Sequence, residues 1–313
     1  IRKPIHNTYR GIYETISMPP PSSGGITMAM MFNILEGYDI GRMGHNSSST
    51  IHVMAEAMRL AYADRAKYLG DADFVEITSD LTTKDYAATQ RSKVDPFFAT
   101  PSENLGPKLT LAREPDETTH YSVVDQWGNA VSNTYTLEGG YGSHIVITGT
   151  GMLTNNEMGD FNPDPGVTKS NGQIGTPPNL IEPNKRMLSS MSPTIVTRNG
   201  ELYLVVGSPG GRTIINTTMQ LILNVIDHGM NMQEAVDAPR VHHQWFPDRL
   251  RIEGGVGREV IDALKVMGHD ISSRGFGGGN YRQGDGHSIM VDPETDYRMG
   301  APDPRIEGAA FGH

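Results

Sequence analysis

Residues 96–116 hold four prolines, several charges and no apolar period, and the chain differs in texture on either side of them. Such a stretch builds neither a regular helix nor a paired strand, so it divides the fold problem in two and is expected to be mobile and accessible. Before it the pattern is mainly helical. Residues 9–18 read as one short strand, closed by Pro19-Pro20-Pro21-Ser22-Ser23-Gly24-Gly25, a stiff run followed by a flexible pair that turns a corner. Residues 26–35 form a Met-rich apolar helix. Residues 49–69 form a second, with Ile51, Met54, Ala55, Met58, Ala61 and Tyr62 on one face and Ser47, Ser48 or Ser49 as cap. A weaker helix covers 84–93.

After the divide the period changes from helical to alternating. Residues 120–125 and 130–137 alternate around Gln126-Trp127-Gly128-Asn129, a hairpin signal. Residues 145–148 and 151–156 are expected to add strands, and 161–185 form a long Pro-, Gly- and Asn-rich loop of the kind that serves as a lid or is disordered. Strands at 194–198 and 202–207 are joined by Asn199-Gly200. A helix at 213–227, a short helix at 233–238, a strand at 249–253, a helix at 258–267 and a strand at 286–292 follow. Helices, strands, helices, then strands predict a layered α/β fold rather than a barrel or a Rossmann alternation, with no internal repeat.

Composition narrows the function. The chain has 313 residues and a net charge of −10, which disfavours nucleic acid and anionic membrane surfaces as partners. No apolar run is long enough to cross a bilayer. With no Cys, disulfides, thiol catalysis and thiolate metal sites are all excluded. The opening Ile1-Arg2-Lys3-Pro4 has no apolar segment behind it and reads as the cut edge of a processed or truncated chain.

The chemistry is expected at Glu117-Thr118-Thr119-His120-Tyr121-Ser122, two hydroxyls at a strand start directly after the polar linker. A threonine hydroxyl is a poor nucleophile unless a base activates it, and an N-terminal threonine carries that base as its own α-amine. An interior Thr118 acquires the amine only if the chain is cut between Glu117 and Thr118. Attack of its hydroxyl on the Glu117 carbonyl would make that cut through an ester. Taken alone, two β-prone hydroxyls at a strand edge are ordinary structure.

Thr134 and Thr136 share one side of the returning strand, where either could reach Thr118 or simply supply β-propensity. Ser208-Pro209-Gly210-Gly211 ends a strand and opens a helix, so its amides suit an oxyanion, or else form a tight turn. It is not a phosphate loop, because no Gly-Lys-Ser/Thr follows. Asn155-Asn156-Glu157-Met158-Gly159-Asp160 offers carboxylates for an ammonium group or a solvated turn. Ser189 and Ser190 offer hydroxyls for a carboxylate or a turn before a strand. Adjacent His242 and His243 would point to opposite faces of a strand and read as structural, as does the Asp64-Arg65 pair.

Together these motifs resemble the γ-glutamyltransferase family of N-terminal nucleophile hydrolases, made as a precursor and self-cleaved into a large and a small subunit. Pro19 to Gly25 and Ala61-Tyr62-Ala63-Asp64-Arg65 look like the end of the large subunit. Thr118 to Asp125, Pro183-Asn184-Lys185-Arg186-Met187-Leu188-Ser189-Ser190-Met191-Ser192-Pro193-Thr194 and Gly207 to Gly211 look like the small subunit. The resemblance implies a four-layer αββα sandwich, with residues 1–117 as the last part of the large subunit and 118–313 as the small subunit.

It implies Thr118 as nucleophile, Thr136 as the residue that orients it, and Gly210 and Gly211 as oxyanion hole. Ser189 and Ser190 would hold the donor α-carboxylate, and Glu157 and Asp160 the donor α-amine. No metal or cofactor is implied. The partners are a γ-glutamyl donor such as glutathione, an acceptor that is water, an amino acid or a peptide, and the sister subunit. The location implied is periplasmic or extracellular.

Glu138 stands in the donor site where many members have Asn. Arg212 stands where a small residue is common, and Asn171 near an expected aromatic gate. Most of the large subunit, including the Arg that pairs with the donor carboxylate, has no counterpart in these residues. The alternatives are a cephalosporin or glutaryl amidase or a poly-γ-glutamate processor on the same scaffold, and an uncleaved fragment that only binds.

Overall fold

A computed structural model describes residues 1–106, 117–170, 173–274 and 279–312. The expected linker lies partly outside them, at 107–116, as does Asn171. The helices are α1 (Gly24–Leu35), α2 (Ile40–Met43), α3 (Ser48–Tyr68), α4 (Lys84–Arg91), α5 (Thr213–Ile226), α6 (Met232–Asp237) and α7 (Arg258–Val266). The strands are β1 (Ile5–Tyr9), β2 (Tyr13–Ser17), β3 (Glu117–Val124), β4 (Ala130–Glu138), β5 (Thr194–Arg198), β6 (Glu201–Val206), β7 (Val241–His242), β8 (Leu250–Ile252), β9 (Ile271–Ser272), β10 (Ser288–Val291) and β11 (Arg298–Ala301).

Six strands form one sheet in the order β1-β2-β5-β6-β10-β11, all neighbours antiparallel. The β3–β4 hairpin is a separate ribbon lying on that sheet. Serine hydroxyls tie the two together. Ser122 Oγ donates to the carbonyls of Val205 and His287 at 3.2 and 3.1 Å, and Ser132 Oγ to that of Val206 at 2.8 Å. These contacts fix the ribbon against the sheet.

Every residue of α1 is buried, which is why its apolar residues run all round, and nearly all of α5 is buried too, including a polar stripe of Asn216, Thr217, Gln220 and Asn224. With α3 they form a single core that draws on residues from both sides of the linker. Truncating a core side chain such as Phe32 or Met58, both fully buried, costs about 2–5 kcal/mol. Helix α3 is opened by the Ser47 side chain, which accepts from the Thr50 amide at 3.1 Å.

The helices at 26–35, 49–69, 84–93, 213–227 and 258–267 and the hairpin are as the sequence predicts, within a few residues at their ends. The single strand over 9–18 is instead the turn and second arm of a hairpin. Arg10 and Gly11 both take positive φ, reversing the chain between β1 and β2. The strands expected at 145–148 and 151–156 reduce to one bridge, Val146 to Leu153, on an exposed excursion. The 161–185 loop contains among its described residues one short helical turn, Pro177–Asn179.

Candidate active site

The β3–β4 hairpin brings Thr118 to Thr136, and an irregularity in its pairing sets the approach. His120 pairs with Thr134 and Thr119 with Tyr135, but Glu117 pairs with Glu138, so β4 carries one extra residue opposite Thr118. Such a bulge re-aims a side chain. Glu138 closes it with a φ of 71°. The Thr118 hydroxyl donates to Thr136 Oγ1 at 3.3 Å, and the Glu138 amide donates to the same oxygen at 2.8 Å. Thr134 lies on the same side but opposite His120, with its hydroxyl 2.9 Å from His120 Nδ1 rather than at Thr118.

His120 shares the inward side with Thr118, yet it is not placed to act as base. Its second nitrogen lies 3.2 Å from Ser122 Oγ, so hydroxyls occupy both ring nitrogens. Burial, assisted by His287, lowers its pKa to about 3, so the ring is neutral.

Thr118 and Thr136 open onto a cleft of about 690 Å³, its mouth included. One wall is the serine turn. Ser189 and Ser190 line it, held by the proline-glycine corner that precedes α1: the Ser23 amide and hydroxyl donate to the Ser189 carbonyl at 2.8 and 2.7 Å. That approach needs glycine next in sequence, because a Cβ at Gly24 would lie 2.3 Å from the Met191 carbonyl oxygen. Arg65, in the last turns of α3, donates to Ser23 Oγ at 2.7 Å and to Ser190 Oγ at 3.0 Å, and also lines the cleft. Of the Asp64-Arg65 pair, which reads as structural in the sequence, Arg65 is buried and packed on Ser23 and Ser190, and it also faces the cleft. Its spacing on α3 gave no local sign of that.

The opposite wall is acidic. Glu138 and Asp160 line the cleft, and Glu157 sits behind Thr136, nearly buried. Burial first, and then the neighbouring Asp160, raise the Glu157 carboxyl to about 7, while the Thr136 hydroxyl favours its charged form. Neither carboxylate oxygen of Glu157 has a partner in full hydrogen-bond geometry.

Gly211 and Arg212 complete the lining. Gly210 stands next to it with a φ of 122° and Gly211 has a φ of 53°, both in the region that favours glycine. The Tyr62 hydroxyl of α3 donates to the Arg212 carbonyl, and the Thr213 amide to that of Gly210 at 2.9 Å, so the turn is pinned from both sides. Residues far apart in sequence thus converge on one hydroxyl, with serines and a cation on one side and carboxylates on the other.

His242 and His243 are buried hydrogen-bonding groups, facing Asn216 and Gln244, and Asp248, respectively. Among the described residues, His52, Glu56 and His269 are the one group of three able to converge on an ion. His52 and Glu56 are committed to hydrogen bonds, while His269 Nδ1 has no partner among the described residues. His52 Nε2 donates to the Asp95 carbonyl at 2.7 Å, leaving Nδ1 to accept from His269 Nε2 at 2.9 Å, and Glu56 takes Arg59 Nε at 3.1 Å. No helix among the described residues is long and apolar enough to cross a membrane.

The γ-glutamyltranspeptidase family matches residues 1–313. A glutathione hydrolase proenzyme of Escherichia coli K12 is 46% identical over 305 residues, covering 97% of this chain and 51% of the relative. The chain spans about half the length of the curated relatives it matches. Among solved structures, a mutant γ-glutamyltranspeptidase of Helicobacter pylori is 52% identical with a TM-score of 0.55, over 60% of this chain and 100% of that one. A cephalosporin acylase of Bacillus halodurans is 26% identical with a TM-score of 0.79, over 99% of this chain and 53% of that one. The fold is accordingly mixed α/β of the N-terminal nucleophile hydrolase kind. A hydroxyl pair on a bulged hairpin, facing a serine turn and a double glycine, sits in a chain matched from end to end, and this chain belongs to the γ-glutamyltranspeptidase family.

Proposed function

We propose that the chain is cut between Glu117 and Thr118 and then acts as a γ-glutamyl hydrolase or transferase on glutathione and related donors. The observation that carries this is the Thr118 hydroxyl, 3.3 Å from Thr136 Oγ1, in a cleft whose walls suit the two ends of an amino acid. Ser189 and Ser190, with Arg65 behind them, suit the donor α-carboxylate. Asp160 and Glu138 suit the α-ammonium, with Glu157 reinforcing them from behind. The γ-carbonyl then lies toward Thr118.

After the cut, the Thr118 α-amine takes the hydroxyl proton as Oγ attacks that carbonyl. The amides of Gly210 and Gly211 receive the negative charge that develops on its oxygen. The leaving amine departs protonated, and water or an acceptor amine releases the γ-glutamyl group from the ester. No metal or cofactor takes part in this scheme.

The same reading makes residues 1–117 and 118–313 two fragments that stay associated in a four-layer αββα arrangement. It places the protein in the periplasm or outside the cell. A related amidase on the same scaffold is the second reading. It is favoured by the overall likeness to the cephalosporin acylase. Steady-state release of amine from γ-glutamyl and from glutaryl amides decides between them. Preference for the γ-glutamyl compound, which carries the α-ammonium, supports the first reading, and preference for the glutaryl compound supports the second.

A further inference from the structure

A donor that serves a developing oxyanion must point the right way before the charge appears. At Gly210 and Gly211 the residues themselves do not ensure it. With φ at 122° and 53° and no Cβ, they leave the peptide planes around them free to turn. What fixes a peptide N–H is the carbonyl bonded to it. In a planar trans peptide the two point in opposite directions, so holding the oxygen aims the proton, and Pro209–Gly210 and Gly210–Gly211 are both trans.

The carbonyl that aims the Gly210 N–H is that of Pro209. The proline ring fixes φ of Pro209 but not the ψ through which this peptide turns. The Ser208 hydroxyl donates to the Pro209 carbonyl at 2.7 Å, and its oxygen accepts from the Asp285 amide at 2.9 Å. Ser208 is fully buried and does not line the cleft. The segment leading into β10 comes close enough to brace it. Gly284 has a φ of 62°, and a Cβ there would lie 2.3 Å from Ser208 Oγ and 3.1 Å from the Pro209 carbonyl oxygen.

The Gly211 N–H is aimed by the Gly210 carbonyl, which accepts from the Thr213 amide at 2.9 Å and the Thr213 hydroxyl at 2.8 Å. That peptide is held by backbone as well as side chain, at the first turn of α5. The Pro209–Gly210 peptide is held by a side chain alone among these contacts.

We infer that Ser208 is a positioning residue for turnover: its hydroxyl, braced by residues 284–285, holds the Pro209–Gly210 peptide with its N–H toward the place where the oxyanion forms. The proposal rests on the reading of Gly210 and Gly211 as the oxyanion donors. Ser208 touches no substrate and moves no proton. The donor is bound by other walls of the cleft, so loss of the Ser208 hydroxyl falls on the transition state and leaves the ground state alone.

The test is steady-state kinetics on mature protein with a chromogenic γ-glutamyl anilide, beside inhibition by a boronic acid analogue of the donor, in which boron replaces the γ-carbonyl carbon and becomes a tetrahedral anion on the nucleophile. Ser208→Ala should lower kcat about 10- to 100-fold and weaken the boronate by a similar factor, with KM within about twofold of wild type. It also leaves the Asp285 amide unpaired, so each variant is assayed well below its own melting temperature. Thr213→Val should lower kcat only about threefold, because the Thr213 amide still holds the Gly210 carbonyl. A Ser208→Ala protein with wild-type kcat, one whose kcat falls while the boronate binds as before, or an equal loss in Thr213→Val overturns the proposal. If Ser208→Ala yields no folded protein, Gly284→Ala decides. Its Cβ keeps the hydroxyl but drives it from its place, so it should show the same loss, and a wild-type kcat there overturns the proposal. A wild-type protein that releases no amine from any γ-glutamyl compound overturns the functional reading and this inference together.

Discussion

The Thr118 hydroxyl donates to Thr136 Oγ1 at 3.3 Å because β4 carries one residue more than β3 at that point of the hairpin. Thr136→Val keeps the shape and removes the acceptor. The loss of one hydrogen bond to the nucleophile is worth about 1–3 kcal/mol, so kcat should fall about 10- to 100-fold, with Thr136→Ser largely restoring it. Steady-state kinetics on mature protein with a chromogenic γ-glutamyl anilide check this. An unchanged kcat in the Val variant contradicts the orienting role.

Gly210 is expected to tolerate no side chain. At a φ of 122° an alanine is strained, and its Cβ would fall 2.5 Å from Thr213 Oγ1 and 3.3 Å from Gly284 Cα. Gly210→Ala should lose about 1–3 kcal/mol of stability and, with the amides of this turn displaced from the place proposed for the oxyanion, most of its turnover. Thermal melting and kcat on the same preparation test the two effects together.

Glu157 predicts a slope of stability with pH. Its carboxyl titrates at about 7 in the fold against an ordinary value of 4.5, so the protonated form is the one the fold prefers. Stability from this group is fully present below pH 4.5 and is lost as pH rises through 7. Relative to wild type, the melting temperature of Glu157→Gln should therefore climb between pH 5 and pH 8. Parallel melting curves across that range would show that Glu157 is not held neutral by its surroundings.

Asp71 runs the other way. Burial raises its pKa, but the Arg186 amide, Nε and Nη2, at 2.9, 2.8 and 2.7 Å, outweigh burial and bring it to about 2. Stability from this pair is present above the ordinary value near 3.8 and is lost as pH falls through 2. The pair also ties the segment after α3 to the chain just before Ser189. Asp71→Asn should cost about 1.5–3 kcal/mol at pH 7 and raise KM for the donor more than it lowers kcat. A stability loss with KM unchanged would detach this pair from the donor site.

The hairpin half of the candidate site was legible because it is local in sequence. The alternation of 120–125 and 130–137 fixes a hairpin, and a hairpin fixes which threonines lie near Thr118. The bulge was not legible: the Thr-Tyr-Thr-Leu-Glu end of β4 keeps alternating through it, and the extra residue shows only in the pairing. Arg65 was read as a packing residue because its role depends on Ser23 and Ser190, neither near it in sequence. Strand β11 was missed because Arg-Met-Gly-Ala has no alternation and takes its conformation from β10 beside it. The excursion at 145–154 was over-read as two strands because apolar, β-branched residues such as Ile145, Val146 and Ile147 are normally buried, and here they are exposed.

The central claim is that Thr118 is a nucleophile released by its own attack on the preceding bond. Its most direct test is N-terminal sequencing and intact mass of purified full-length protein, beside Thr118→Ala. The account predicts two fragments in the wild type, one beginning Thr-Thr-His-Tyr, with γ-glutamyl release appearing as they form, and an uncut, inactive Thr118→Ala chain. Cleavage at that bond in Thr118→Ala, or γ-glutamyl release by a wild-type chain that stays whole, would contradict it.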